Sequence, residues 1–311
     1  MTEDTLSLRT LSRVLRGHAT TDGAGVRMTR VIGTHELEDL DPFLLLDEFR
    51  SETHADYIAG FPDHPRRGFE SVTYMIAGSM EHRDHLGNQG VTERGGVQWM
   101  TAGRGVVQSE MPRQERGLTW GFQLWVNLKA SDKLCEPQYQ DIPREAIPVV
   151  ELPERGGRVR VIAGSLRGSE GVVQARSVER LLYLDVSLSP YTVEEFVIPS
   201  GYNACVYVFE GSARFGDVND HSKKALGRHD LGVLGDGDAL RVRAASLGVR
   251  FLILAARPLK EPIARYGPFV MNTREEVLQA VNDYRHGRFL DEQSSPQRPS
   301  DSPEIVAATA T

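Results

Sequence analysis

Glycine and proline interrupt this chain at short intervals, and the stretches between them are short and favour β-strands. The chain has 30 glycines and 16 prolines in 311 residues. Both residue types end regular elements, so many short elements are expected rather than long helices. Segments rich in β-branched and aromatic residues are predicted strands: 70–76, 118–126, 158–162, 181–186, 205–209 and 249–254. Such a pattern is typical of β-sandwiches and barrels, so the sequence predicts an all-β protein.

One helix is predicted near the C-terminus. Thr273 and Glu276 have the spacing of a capping box, and Gly287 can end the helix. Between them, apolar residues recur at helical spacing: Val277, Leu278, Val281 and Tyr284. The segment from Glu292 to Thr311 is rich in serine and proline, and we predict that it is disordered.

An internal repeat predicts two related domains. The segment Thr73-Tyr-Met-Ile-Ala-Gly-Ser resembles Val206-Tyr-Val-Phe-Glu-Gly-Ser, and a glycine-rich turn follows each copy. A chain of 311 residues is also long enough for two domains of ordinary size. Prolines cluster between 138 and 154, so we place the boundary there. The prediction is an N-terminal barrel over residues 1–143, a C-terminal barrel over 144–290 and a tail over 291–311.

Charge and cysteine content exclude several classes of partner. The net charge of −7 argues against general binding of nucleic acid or of an anionic membrane. The longest apolar stretch, around 251–256, is far too short to cross a membrane, and residues 1–6 lack the apolar core of a secretory signal. Cys135 and Cys205 are far apart, which predicts reduced thiols and a cytoplasmic protein. A small-molecule substrate is therefore expected, and a protein partner stays open.

The stretch from Asp41 to Pro112 carries the most distinctive strings. Phe61-Pro-Asp-His-Pro-Arg-Arg-Gly-Phe-Glu is followed by Val97-Gln-Trp-Met-Thr-Ala-Gly-Arg-Gly and by Val107-Gln-Ser-Glu-Met-Pro. These strings, with Ala264-Arg-Tyr-Gly-Pro-Phe-Val-Met-Asn-Thr near the end, resemble the pirin family over roughly residues 10–290. The resemblance implies a bicupin, that is, two tandem cupin β-barrels, here with a short C-terminal helix.

The resemblance also implies an iron site, from which this chain departs. Pirins hold iron in the N-terminal barrel through two histidines of an HPH run and a histidine and glutamate of a later run. The corresponding residues here are His64, Arg66, Gln108 and Glu110. Arginine has no lone pair to donate and stays positively charged, so we expect no metal cofactor, with iron only if neighbouring residues rescue the site. His64 and Glu110 are the residual metal-ligand candidates. In the second barrel the aligned positions are Val197 and Pro199, which predicts a structural barrel.

Several functions fit such a pocket. In the first, Arg66 is an electrophile, His64 a general acid or base, and Gln108 and Glu110 assist. This set suits non-redox dehydration, conjugate addition or cyclisation of a carbonyl-rich molecule, for example a polyketide-type compound of specialised metabolism. The alternatives are an iron-dependent quercetin 2,3-dioxygenase and a non-catalytic, protein-binding pirin. An Arg66–Glu110 ion pair that merely fills a dead site is also left open. The predicted apolar lining is Phe69, Trp99, Met100, Phe122 and Trp125, although plain barrel core is the simpler explanation for any one of these residues.

Overall fold

The computed structural model describes residues 6–113, 116–220 and 224–290. Within these ranges the chain forms two β-barrels followed by one α-helix. This confirms the predicted all-β fold with two tandem barrels. No helix in these ranges is long and apolar enough to cross a membrane. The predicted disordered tail lies outside the described residues.

The first barrel is built from the strands in the first half of the chain. The exception is the first strand of the chain, which belongs to the second barrel. The strands of this half are β1 (Leu11–Arg16), β2 (His18–Asp22), β3 (Val26–Ile32), β4 (Phe43–Ser51), β5 (Phe61–Arg66), β6 (Phe69–Ala77), β7 (Met80–Asp84), β8 (Gln89–Thr92), β9 (Val97–Thr101), β10 (Val106–Pro112), β11 (Thr119–Asn127) and β12 (Gln138–Ile142). A seven-stranded sheet has the order β12-β9-β6-β11-β4-β3-β2, and a four-stranded sheet has the order β5-β10-β7-β8. The strands within each sheet pair antiparallel, so the barrel interior lies between the two sheets.

The second barrel consists mainly of one nine-stranded sheet. The remaining strands are β13 (Val149–Glu151), β14 (Gly157–Ala163), β15 (Ser165–Leu166), β16 (Ser169–Glu170), β17 (Leu182–Leu188), β18 (Val193–Val197), β19 (Asn203–Phe215), β20 (Leu226–Gly227), β21 (Asp230–Leu234), β22 (Ala239–Ala256), β23 (Ala264–Tyr266) and β24 (Phe269–Met271). The sheet order is β1-β21-β19-β22-β17-β14-β13, with β18 beside β22 and β20 beside β19. Bulges let the long strands β19 and β22 curve around the barrel. At one bulge Gly211 has a φ of 68°, and a Cβ there would lie 2.2 Å from the Gly248 carbonyl oxygen.

The helices are short, and the predicted one is confirmed. Helix α1 covers Arg274–Arg285 and begins with the capping box of Thr273 and Glu276. Thr273 Oγ1 accepts a hydrogen bond from the Glu276 backbone, and the Glu276 carboxylate accepts one from the Thr273 backbone. Four 3-10 turns complete the list of helical elements in the described ranges: His54–Asp56, Ala130–Asp132, Arg144–Ala146 and Pro153–Arg155.

Both ends of the chain cross the predicted domain boundary. Strand β1 pairs with β21, so residues 11–16 complete the second barrel rather than the first. In the opposite direction, Arg67 of the first barrel forms a β-bridge with Phe269. Residues 264–290 therefore pack against the first barrel. The predicted division at residue 143 is therefore wrong for the two terminal segments, each of which packs on the other barrel. A short terminal segment pairs with the sheet edge that its register fits, and the local sequence does not show which edge that is.

The largest hydrophobic core lies between the barrels and takes side chains from both. Its members include Leu46, Val72, Tyr74, Trp99, Phe122 and Leu124 from the first barrel and Tyr183, Tyr207, Phe209 and Leu252 from the second. Two buried hydrogen bonds cross this core. The Tyr74 hydroxyl donates to Asp185 at 2.6 Å, and the Tyr207 hydroxyl donates to Glu48 at 2.5 Å. The barrels are thus joined by an apolar interface that two buried hydrogen bonds cross.

A buried ion pair fixes helix α1 to the first barrel. Arg67 Nη1 donates to Asp283 Oδ2 at 2.9 Å, and the two side chains are 3% and 2% exposed. The same guanidinium donates to the carbonyl oxygens of Arg104 and Phe289. These contacts connect the chain after β5 with the C-terminal segment.

Asp283→Ala is expected to lower the free energy of unfolding by about 3–5 kcal/mol, because it leaves the Arg67 charge buried without its partner. Urea denaturation followed by circular dichroism measures the change. Arg285→Ala, on the exposed side of the same helix, is the matched control and should change stability by no more than about 0.5 kcal/mol. Equal stability of the two variants would contradict a stabilising role for the pair.

Candidate functional site

Two segments that are far apart in the sequence meet inside the first barrel. Strands β5 and β10 pair antiparallel, with Gln108 opposite His64 and Val106 opposite Arg66. The register shifts between Gln108 and Glu110, which is the position of a bulge. The four residues that the sequence predicts as catalytic, His64, Arg66, Gln108 and Glu110, therefore lie together.

The guanidinium of Arg66 is the centre of the site. Its Nε donates to His64 Nε2 at 3.0 Å and its Nη1 to Ser71 Oγ at 2.5 Å. Its Nη2 donates to Glu110 Oε2 at 2.8 Å and to Gln123 Oε1 at 3.3 Å. The Arg66 and Glu110 side chains are each 2% exposed, so this ion pair is buried. Four acceptors hold the guanidinium in one orientation.

Glu110 is surrounded by hydrogen-bond donors. Besides Arg66, it accepts bonds from Thr73 Oγ1 at 2.8 Å, from Gln123 Nε2 at 3.1 Å and from Gln108 Nε2 at 3.3 Å. Burial alone would raise the pKa of the carboxyl, but the Arg66 charge and these donors outweigh it, and the pKa of Glu110 lies below its ordinary value. Glu110 is thus held as a carboxylate.

His64 is held as a neutral imidazole. Because Arg66 Nε must donate, His64 Nε2 is the acceptor, and the ring proton resides on Nδ1, which donates to the Pro62 carbonyl oxygen at 2.8 Å. Burial and the adjacent Arg66 charge lower the pKa of His64. Its side chain is only partly buried, so it lies at the edge of the site.

The donor set does not fit a metal ion. The lone pair of His64 Nε2 and an oxygen of Glu110 both accept hydrogen bonds from the Arg66 guanidinium, which stands where the family resemblance implies a metal ligand. A fixed cation there repels a second cation and supplies no electron pair. Among the described residues, no group of three or more histidine, cysteine, aspartate or glutamate side chains is arranged to hold a metal.

An acceptor and a donor at the site remain without a protein partner. Gln108 Oε1 is buried, and it has no hydrogen-bond partner among the described residues. The Arg66 guanidinium has five N–H bonds, and four of them have an acceptor among the described residues. The fifth, on Nη1, has no acceptor there. Buried polar groups in this state usually bond to water or a ligand.

Three of the five predicted lining residues border the barrel interior. Phe69 and Trp125 stack with ring centroids 4.2 Å apart, and the Arg66 guanidinium carbon lies 5.5 Å from the Trp125 ring. Met100 is opposite Ser71 in the sheet, and therefore on the side of Arg66. Trp125 is partly exposed and, with His64, marks the accessible edge of the site.

Trp99 and Phe122 lie on the other face of the sheet, which corrects the prediction for these two residues. The Trp99 indole donates to Glu70 Oε1 at 3.1 Å, and Phe122 packs edge-on against Phe209 with centroids 5.0 Å apart. Successive side chains of a strand point to opposite faces of the sheet. Trp99 and Phe122 directly precede Met100 and Gln123, which face the barrel interior, so they face the second barrel.

Ser71, Thr73 and Gln123 are site residues that sequence reasoning missed. Ser71 and Thr73 alternate with buried apolar residues along β6, and Thr73 is opposite Gln123 on β11. A strand with polar side chains at every second position in an otherwise apolar run is a usable signal for a polar interior. His82 is buried opposite Glu110 and stacks on Tyr139.

Comparisons with known proteins agree with this architecture. The family model Pirin matches residues 25–126, and the model Pirin C-terminal cupin domain matches residues 183–290. A pirin-like protein of Caulobacter vibrioides is 46% identical over 91% of this chain and 100% of its own length. A solved quercetin 2,3-dioxygenase from Acinetobacter baumannii has a TM-score of 0.83 and 33% identity, covering 91% of this chain and 99% of that one.

A solved bacterial pirin from Escherichia coli in complex with nickel(II) shares the fold. Its TM-score is 0.60 at 17% identity, with 82% of this chain and 100% of that chain covered. Both family models, the high identity to the Caulobacter relative and the two-barrel fold lead to one conclusion. The chain belongs to the pirin family.

Proposed function

We propose that the first barrel binds a carbonyl-rich small molecule and promotes non-redox proton transfer on it without a metal. The observation that carries this proposal is the fixed Arg66 guanidinium at a position where the family resemblance implies a metal ligand. A buried, preorganised cation can stabilise negative charge that develops on a substrate oxygen, as a Lewis acid would.

The unpaired polar groups indicate the ligand chemistry. The remaining N–H of Arg66 suits a carbonyl or enolate oxygen, and Gln108 Oε1 suits a hydroxyl group. The stacked rings of Phe69 and Trp125 suit a flat, apolar body. A molecule with carbonyl and hydroxyl oxygens on an aromatic or conjugated frame meets all three requirements.

His64 is the group available to move a proton. A substrate that accepts the Arg66 Nε–H would free His64 Nε2, and a neutral imidazole can then remove a proton next to the substrate carbonyl. The electron pair moves to the carbonyl oxygen, where Arg66 stabilises it. Return of the proton to a leaving hydroxyl would release water, and return to another carbon would give an isomer. A cyclase or dehydratase of this kind acting on a polyketide-type compound is the concrete form of the proposal.

A second candidate is binding without catalysis. Both ring nitrogens of His64 and both oxygens of Glu110 already have partners, which also describes a filled site in a regulatory, protein-binding pirin. Iron-dependent dioxygenation, which the name of the Acinetobacter relative suggests, is less well supported, because no fitting donor set occurs among the described residues.

Quercetin is a suitable probe because it carries carbonyl and hydroxyl oxygens on flat rings. We expect the chelator-treated protein to bind it, and Trp125→Ala to weaken binding about 10-fold by removing half of the aromatic stack. Fluorescence titration measures the affinity. Leu247→Ala, at an 89% exposed position of the second barrel, is the control and should bind as the original protein does.

Catalysis is tested separately by anaerobic incubation with carbonyl-rich metabolites and mass spectrometry. The proposal expects products of unchanged mass or lighter by one water, and their loss in His64→Ala. Binding of quercetin that is equal in all variants would contradict the assigned site. Oxygen uptake together with near-stoichiometric iron would favour the dioxygenase, and binding without any product would favour the non-catalytic candidate.

A further inference from the structure

Five arginines meet in a crevice between the two barrels, on a surface that the proposed function does not use. The crevice is lined by Arg94, Arg144, Arg158, Arg160 and Arg250, together with Tyr74, Met75, Ile76 and Gly95. We call it the arginine crevice. None of these lining residues carries a carboxylate, although the whole chain has a net charge of −7. Concentrated positive charge in an acidic protein indicates an anionic partner.

The crevice is assembled from both barrels and the connection between them. Arg94 precedes β9, Arg144 belongs to the 3-10 turn after β12, and Arg158 and Arg160 share one side of β14. Arg160 Nη2 donates to the Gly95 carbonyl oxygen at 2.8 Å and to the Arg144 carbonyl oxygen at 3.3 Å. These two bonds join the first barrel, the connection and β14, so the segments that carry Arg94, Arg144, Arg158 and Arg160 are held next to one another.

Most of this positive charge is not balanced by protein carboxylates. Arg250 is neutralised, because it donates to both oxygens of Asp185 at 3.0 and 2.6 Å. The other four arginines have no ion pair within 4.0 Å in the part of the chain that the structure describes. In the same ranges, the buried Nε of Arg160 has no hydrogen-bond acceptor. Gathering like charges without counter-charges costs free energy, which an anion from solution would offset.

Two adjoining cavities extend the crevice and limit the size of the ligand. One cavity, of about 240 Å³, is also lined by Arg144, Arg158 and Arg160, and the apolar side chains of Ile147 and Val149 flank it. The other cavity, of about 200 Å³, is lined by Arg94 and Arg144, which also line the crevice. The acidic side chains that line these neighbouring cavities are Glu93, Asp141 and Glu145. The crevice itself has a volume of about 70 Å³, so the anionic part of a ligand would lie against the arginines at its open side, and the uncharged part beside Ile147 and Val149.

We propose that the arginine crevice binds a small molecule that carries a diphosphate group. The planar guanidinium donates two parallel hydrogen bonds that match phosphate oxygens, and four unpaired arginines match the several negative charges of a diphosphate. The site is distinct from that of Arg66. Tyr74, which lines the crevice, points to the face of β6 opposite that of Ser71 and Thr73, which contact the Arg66–Glu110 pair.

Titration calorimetry with inorganic pyrophosphate at low ionic strength tests the proposal. We expect binding of one pyrophosphate per chain, weakened about 10-fold or more in Arg144→Ala and in Arg158→Ala. Both side chains are exposed and without ion pairs in the described ranges, so these variants should fold, which thermal unfolding verifies. Arg257→Ala removes an equally exposed arginine outside the crevice and should bind within about twofold of the original protein.

Different anions separate a diphosphate site from weaker alternatives. Pyrophosphate should bind more tightly than orthophosphate or sulfate, because it reaches more of the arginines at once. Tighter binding of citrate would overturn the phosphate assignment in favour of a polycarboxylate. The assignment of the site would be overturned if pyrophosphate did not bind, or if Arg257→Ala and Arg158→Ala lost the same amount of pyrophosphate affinity. If Arg158→Ala unfolds early, Arg94→Ala, at another exposed position, replaces it in the same comparison.

Discussion

Arg66→His combined with Gln108→His is expected to produce a protein that binds about one iron(II) or nickel(II) ion per chain. The two new imidazoles would join His64 and Glu110, giving the donor set that the family resemblance implies. Removal of the guanidinium frees the His64 Nε2 lone pair and a Glu110 oxygen, which Arg66 occupies at 3.0 and 2.8 Å. The same change removes the fixed positive charge that opposes a metal cation.

Metal analysis of protein purified without chelator, together with thermal unfolding, measures this result. A metal that binds only the folded state at 100 times its Kd should stabilise the double variant by about 2.7 kcal/mol. The matched control makes the same two substitutions at the exposed residues Arg27 and Gln89, and it should gain neither metal nor stability. Near-stoichiometric iron in the original protein would contradict the reading of this site as metal-independent.

Arg66→Met is expected to lower the free energy of unfolding by about 3–5 kcal/mol at neutral pH. The substitution keeps an apolar side chain in place but leaves the 2% exposed Glu110 carboxylate without its cation. Adding Glu110→Leu should restore most of the loss, because the pair of apolar side chains leaves no uncompensated charge. Urea denaturation followed by tryptophan fluorescence measures both variants.

The pH dependence of this deficit has a definite sign. The folded-state pKa of Glu110 lies below its unfolded value, so the carboxylate contributes stability above about pH 4.3 and loses it as the pH falls through the folded pKa. The difference between the original protein and Arg66→Met should therefore shrink as the pH is lowered below about 4.3. A deficit that is independent of pH, or a double variant no more stable than Arg66→Met, would show that lost packing is the main cause.

Local features of the chain were accessible from the sequence. The capping box of Thr273 and Glu276 is made by residues three apart, so the start of helix α1 is determined locally. The same holds for the strand from Phe69 to Ala77, which a glycine with a φ of 75° ends at Gly78. In the repeat partner, by contrast, Gly211 with a φ of 68° lies at a bulge within β19, and the strand continues to Phe215.

Strand faces and pairing partners were less accessible. Trp99 and Met100 are adjacent in the sequence, yet one faces the second barrel and the other the site of Arg66. A run that is apolar on both faces gives no alternation from which to assign them. Pairing of β1 with β21, and of Arg67 with Asp283, joins residues more than 200 positions apart.

The sequence by itself determined an all-β, two-barrel pirin with Arg66 and Gln108 at positions where the family resemblance implies metal ligands, because strand patterns, caps and residue identity are local properties. Only the tertiary structure decided that one guanidinium engages both remaining donors, His64 and Glu110, and that five arginines from three regions of the chain form one crevice. Both arrangements depend on strand register and on the packing of two barrels, which are set by the free energy of the whole fold and not by any single segment.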